Sequence, residues 1–343
     1  MEPRWPKWKG EAMTIDSKMI RALSRLGEAS SIGFALEELA NQSSDIAALT
    51  ADLRSYSGLD EFAKKYSDYF YNLGIAEQNM VGVACGLSKE GIIPFATTYA
   101  SFATTRCLDQ VRVGMGYMRL PVKLIGLGAG LALGALGATH MACEDIATIR
   151  AIPNIAILSP ADCLETVKAV NAAANYEGPV YIRLTGGVPT PPVYKSDYSY
   201  EIGKPVELVS GNQIVIFATG SMVHESLRAV KRLEEKNISA SLVNIHTIRP
   251  FDTSYIDNYV SKNPKLIVTV EEHGVVGGLG DLISNHLANT DACHIPRLIL
   301  GVPQKFLRAG SYQSLLNEVQ LTGPQIYSQI ISMMEKVDRH DIS

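Results

Sequence analysis

Residues 72–87 read Asn-Leu-Gly-Ile-Ala-Glu-Gln-Asn-Met-Val-Gly-Val-Ala-Cys-Gly-Leu. The aromatic run Tyr69, Phe70 and Tyr71 leads into this stretch, and a turn at Gly74 separates that run from Glu77. Beyond Glu77 the pattern predicts a helix over 78–88, whose Gly82, Ala84, Cys85 and Gly86 let another backbone come close. A carboxylate at the end of an apolar strand is costly unless it has a partner. Two explanations compete for Glu77. The helix dipole favours glutamate in a first turn; alternatively, the carboxylate serves a ligand.

Strands and helices alternate on both sides of this segment. Helices are predicted over 17–38, 58–66, 99–115, 144–150 and 161–174, and strands over 46–52, 92–97, 122–127, 155–159 and 180–184. The strands are apolar throughout, which argues for a mostly parallel sheet covered on both faces. The stretch 120–136 is apolar but carries Lys123 and several glycines, so it reads as a buried strand and a close-packed loop rather than a bilayer helix. Residues 186–205, rich in proline and glycine and then in tyrosine, read as a linker. A second alternating unit follows, with strands over 214–218, 239–245, 265–271 and 297–300 and helices over 223–236, 251–259 and 278–289. The fold class is therefore α/β, with two consecutive α/β domains. The boundaries fall at 1–17 (an N-terminal extension), 18–187, 188–206 (the linker) and 207–343.

Composition narrows the function. An apolar fraction of 46% in 343 residues suits two ordinary globular domains. A net charge of −4 gives no reason to expect nucleic acid or an anionic membrane as partner. Five scattered cysteines (Cys85, Cys107, Cys143, Cys163 and Cys293) fit reduced thiols and a cytoplasmic location better than a disulfide frame or a zinc site. Residues 1–10 lack the apolar core of a secretion signal.

The string Gly-Ile-Ala-Glu-Gln-Asn at 74–79 resembles the signature of the pyrimidine-binding domain of thiamine diphosphate enzymes. It is most similar to transketolase and to 1-deoxy-D-xylulose-5-phosphate synthase. The stretch 268–280, Val-Thr-Val-Glu-Glu-His-Gly-Val-Val-Gly-Gly-Leu-Gly, resembles the transketolase C-terminal domain. The likeness runs through nearly the whole chain after about residue 18, but it covers only the last two of the family's three domains. It implies that Glu77 hydrogen-bonds the aminopyrimidine of thiamine diphosphate, with the cofactor supplying the carbanion chemistry.

Other site residues follow from the same resemblance. Phe102 stacks on the pyrimidine, with Tyr99 beside it; as a pair three apart, they otherwise read as core packing. Arg106 corresponds to a family position near the phosphate end of substrate, with a spacing one residue longer; its alternative is a salt bridge. His140, in Leu-Gly-Ala-Thr-His, matches a histidine that contacts substrate and assists proton transfer. Arg183, in Tyr-Ile-Arg-Leu, matches an arginine that binds the acceptor's phosphate, against the alternative of a structural ion pair. Asp52 resembles an aspartate at the cofactor or dimer contact. Two positions depart from the pattern. Leu136 stands where an aspartate reads a sugar hydroxyl, and Gly128 where transketolase has a further substrate histidine. The resemblance thus implies a substrate other than the ordinary pentose phosphates, phosphorylated or otherwise anionic.

The Gly-Asp-Gly segment and following asparagine with which the family holds the diphosphate and its Mg2+ (or Ca2+) are missing from the sequence. No metal ligand is therefore assigned within this chain. A second polypeptide, the N-terminal transketolase subunit, is expected to bring that domain. The result is a split enzyme, an α2β2 heterotetramer in which copies of this chain associate. It would transfer a two-carbon ketol unit from a ketose to an aldehyde. Rival readings are the beta subunit of a 2-oxo-acid dehydrogenase decarboxylating component, an acyloin former like deoxyxylulose phosphate synthase, and a non-catalytic scaffold subunit. The 74–79 string and Thr139-His140 favour transketolase.

Overall fold

A computed structural model describes residues 15–43, 45–185 and 191–340. Most of the expected N-terminal extension and residues 188–190 of the expected linker lie outside the described residues. Six strands come from the first unit: β1 (Ile46–Thr50), β2 (Phe70–Asn72), β3 (Ile93–Tyr99), β4 (Lys123–Ala129), β5 (Ala156–Leu158) and β6 (Val180–Thr185). Six follow from the second: β7 (Val206–Val209), β8 (Ile214–Ala218), β9 (Ala240–Asn244), β10 (Thr247–Arg249), β11 (Leu266–Gly274) and β12 (Arg297–Val302).

Two mostly parallel sheets result. The larger runs β10-β5-β6-β4-β3-β1-β2 and the smaller β12-β11-β8-β9-β7. Every residue of β1 and β6 is buried. This double-sided burial is why these strands show no polar/apolar alternation, Arg183 in β6 being buried as well. Lys123, the one charged residue in β4, is buried too. Its ammonium donates to the carbonyls of Tyr176 (2.9 Å) and Gly178 (2.7 Å), and burial pulls it down to about 7.

The units are joined through a shared sheet. β10 lies in the second unit by sequence but adds antiparallel to β5, with Thr247 opposite Leu158 and Arg249 opposite Ile157. The Arg249 guanidinium then donates to the carbonyls of Ile149, Arg150, Ile152 and Ile155. The described part of the linker is also fastened. The Val193 and Tyr194 amides donate to Asp162, and the Tyr194 and Tyr198 hydroxyls donate to Glu165.

Several boundaries differ from the sequence prediction. The helix expected over 17–38 is two, Ser17–Leu26 and Glu28–Gln42. Gly27, at φ 89°, takes a left-handed conformation that ends the first by bonding its amide to the Leu23 carbonyl. The helix expected over 99–115 begins only after Tyr99, which closes β3. It is wound as π-helix over Phe102–Arg106 and again over Val111–Tyr117, with one α-turn between. The sequence reading included neither β7 nor β10, nor the helices Tyr312–Glu318 and Gly323–His340. Among the described residues, no helix is long and apolar enough to cross a membrane.

Candidate active site

The candidate residues gather where the carboxyl ends of β1, β3 and β4 open side by side, the usual ligand position in a parallel sheet. Each is delivered by a short turn. Two residues past β1 stands Asp52, at φ 60°, whose amide donates to the Asn72 side chain (3.0 Å). Asn72 also accepts the Gly74 amide (3.1 Å), which shapes the turn into the helix Glu77–Lys89. Glu77 is indeed a first-turn residue, as the dipole explanation requires. That does not account for its burial, which leaves it only 3% exposed.

Glu77 has a partner. Its Oε1 lies 2.7 Å from Nη1 of Arg106. The Arg106 guanidinium carbon stands 3.6 Å from the centroid of the Phe102 ring. Tyr99 meets Phe102 edge-on at 5.8 Å, and His140 meets both, at 5.7 Å from Tyr99 and 5.2 Å from Phe102. The structure therefore brings together Glu77, Phe102, Tyr99, His140 and Arg106. It also brings in Tyr56, edge-on to Tyr99 at 4.9 Å, which the sequence reading did not include. Its signal was its place in the loop after β1, at the end of a parallel strand.

The loop that carries His140 is held from the second unit. Gly130, at φ 65°, pairs with Ala142 to close the loop base. The next amide, Leu131, donates to Oε1 of Glu272 on β11 (2.6 Å). A side chain at Gly130 would meet that carboxylate at 2.5 Å. Burial raises Glu272 above the usual carboxylate range, although the Ser221 and Tyr312 hydroxyls and the Leu131 amide all donate to it. Within the loop, Thr139 bonds Nδ1 of His140 (2.9 Å), and Leu136 lies 53% exposed on the turn Gly134–Leu136. Gly128 has its own reason to be glycine. It sits at φ 61°, and a Cβ there would strike Leu133 at 2.6 Å.

Three expected site residues stand elsewhere or face otherwise. Arg183 is 1% exposed, and its Nε binds both Asp145 oxygens (2.8 and 3.1 Å) while Nη2 donates to the Glu272 carbonyl (2.7 Å). It forms the structural ion pair of the two alternatives, buried between the units. Arg106 turns back onto Glu77 and Phe102 instead of reaching toward a substrate phosphate. The π-turn Phe102–Arg106 carries its side chain over the Phe102 ring. Asp52 is exposed and clasped to Asn72, with no contact to the aromatic cluster among its described bonds. It borders a cavity of about 470 Å³ with Arg54, Phe70 and Tyr56 of the aromatic cluster.

Beside the ion pair lies His273, fully buried, with Nδ1 bonded to the Gly274 carbonyl and Nε2 accepting the Ala147 amide. These bonds suit a neutral ring. Burial lowers its pKa from 6.5 to about 4. As pH falls through that window the unfolded chain takes up a proton that the folded chain refuses, so stability is lost on acidification. The loss should reach about 3 kcal/mol for this group. In urea unfolding, the stability advantage of wild type over His273→Gln should shrink steadily between pH 6.5 and pH 4; a constant difference would show that the ring does not titrate as described.

A buried carboxylate facing an aromatic wall, on a parallel sheet followed by a second α/β unit, is the form of the pyrimidine-binding half of a thiamine diphosphate enzyme. The family model for the transketolase pyrimidine-binding domain matches residues 29–187, and that for the transketolase C-terminal domain matches 203–326. A putative transketolase C-terminal section from Methanocaldococcus jannaschii is 37% identical over 89% of this chain and 95% of its own length. One of the subunits of an apulose-4-phosphate transketolase from Phocaeicola vulgatus is 35% identical over 88% of this chain and 95% of its own. The solved structure of a split-gene transketolase, an inactive beta4 tetramer, superposes with a TM-score of 0.82 at 36% identity, covering 90% of this chain and 98% of that one. The chain belongs to the transketolase family.

The residues present fit the aminopyrimidine of thiamine diphosphate. Glu77 offers a buried acceptor, and Phe102 offers a flat face. The gap between them already accommodates a planar nitrogen group, the guanidinium of Arg106.

Proposed function

We infer that this chain is the pyrimidine-binding and C-terminal subunit of a two-component, thiamine diphosphate-dependent transketolase. The observation that carries the reading is the buried Glu77 carboxylate opposite Phe102, with His140 on the same aromatic cluster. Glu77 would hold and polarise the ring, Phe102 and Tyr99 would wall it, and His140 would handle protons at the substrate. When bound, the cofactor supplies the chemistry that moves a two-carbon ketol unit from a ketose to an aldehyde. The N-terminal subunit would hold the diphosphate and its Mg2+, within an α2β2 assembly in the cytoplasm. Similarity along almost their full lengths to one relative named as a transketolase subunit, and to another named as a C-terminal section, supports this division.

Leu136 and Gly128 bear on the substrate. A leucine cannot bond a hydroxyl, and Gly128 leaves no room for a histidine side chain without moving Leu133. Both favour a ketose with fewer or differently placed hydroxyls at that end than a pentose phosphate. With Arg183 paired to Asp145, other donors would meet an anionic substrate. The test is reconstitution. The chain and its candidate N-terminal subunit, each inactive alone, should together transfer ketol units in a panel of ketoses and aldehydes, and only with thiamine diphosphate present. Carbon dioxide release from pyruvate with acyl transfer to a lipoyl domain would replace this reading by the 2-oxo-acid dehydrogenase one.

A further inference from the structure

The guanidinium of Arg106 makes two contacts, and they are the two that the proposed function reserves for the cofactor ring. Nη1 bonds Oε1 of Glu77 at 2.7 Å, and the planar group lies 3.6 Å over the Phe102 face. We propose that Arg106 is a stand-in for the aminopyrimidine: in the unassembled subunit it fills the ring site, and the cofactor enters by exchange with it. This inference rests on the reading of Glu77 and Phe102 given above.

The two groups compete wherever the ring takes the Glu77 oxygen and the Phe102 face that the guanidinium holds. A guanidinium is flat, carries only donors, and stacks on aromatic faces. A ring bound to the same Glu77 oxygen and the same Phe102 face must occupy the same few ångströms. The π-turn makes the placement possible. It carries Arg106 round to the ring face of Phe102, and the backbone there is fixed by the Gln78 side chain donating to the Arg106 carbonyl (3.2 Å). The side chain also has a way out. Arg106 is 42% exposed whereas Glu77 is 3% exposed, so the guanidinium can swing into solvent at the loss of its Glu77 and Phe102 contacts alone. Leaving alone would strand a buried carboxylate. Departure is therefore favourable only when another donor arrives, and this keeps the site shut until a ring replaces the arginine.

The direction of the expected effect is the opposite of that for an ordinary ligand contact. With the full chain and thiamine as probe, followed by the NMR signal of its pyrimidine methyl group, Arg106→Met should bind at least about tenfold more tightly than wild type, the loss of one charge-assisted competitor. Arg106→Lys keeps the charge but not the plane and should fall between them, which guards against a methionine variant that folds poorly. In wild type, the Arg106 side-chain N–H signal should be displaced by the Phe102 ring and return to the free arginine position as thiamine binds. Equal or weaker binding by Arg106→Met overturns the inference, as does absence of binding to both proteins or an Arg106 signal that stays displaced in the thiamine-bound protein. Loss of thiamine binding in Glu77→Ala without any gain in Arg106→Met would remove the inference and leave the proposed function standing. Binding unaffected by Glu77→Ala would remove both.

Discussion

Replacing Glu77 with alanine is expected to lower thiamine diphosphate-dependent turnover of the two-component enzyme by about three orders of magnitude, the range in which single acid–base groups contribute. Glu77→Gln should fall nearly as far, because it keeps the shape and loses the acid. Folding should change little. The substitution removes a buried carboxylate together with its one described ion pair, to the half-exposed Arg106, so a penalty and a compensation disappear together. The informative comparison is thus activity against melting temperature. A Glu77→Gln enzyme that turns over at the wild-type rate would show that the carboxylate is only a helix-start residue.

The largest effect on stability should come from the pair formed by Arg183 and Asp145. Both are essentially unexposed, at 1% and 0%. Asp145 also accepts the Tyr181 hydroxyl at 2.8 Å, and Arg183 also reaches the Glu272 carbonyl. Asp145→Ala would leave a guanidinium buried without its carboxylate, which costs about 3–5 kcal/mol in comparable breaks of a buried pair. Arg183→Met should cost a similar amount by stranding the carboxylate. Removing both together should cost less than the sum, since no uncompensated charge remains. Denaturant unfolding of the two single variants and the double variant measures this. Strict additivity would mean that the two groups do not act as a pair.

The Arg183 pair also shows where sequence reading runs short. Arg183 matched a motif position, but its partner lies 38 residues away and is chosen by topology. No local pattern announces that a helix start will be brought against β6. Arg106 was legible as a charged residue near the site, yet its orientation depends on a π-turn, for which the sequence carries no evident signature. β10 was missed for a related reason: three residues lent to the neighbouring unit's sheet have no periodicity of their own. Gly27 divides a stretch whose apolar pattern is continuous, and only its left-handed backbone ends the first helix. By contrast β8 was legible to the residue, because Ile214–Ala218 is buried on both faces and is apolar throughout. The cluster of Glu77, Phe102, Tyr99 and His140 was legible through the motif, since each sits at the end of a parallel strand or in the segment that follows one.

The most direct measurement is a calorimetric titration of thiamine diphosphate with Mg2+ into this chain alone and into its complex with the N-terminal subunit. The division of the site between two polypeptides predicts saturation of the complex at one cofactor per copy of this chain, and far weaker binding to the lone chain, which holds only the ring. Equally tight binding by the lone chain, with ketol transfer to match, would contradict it.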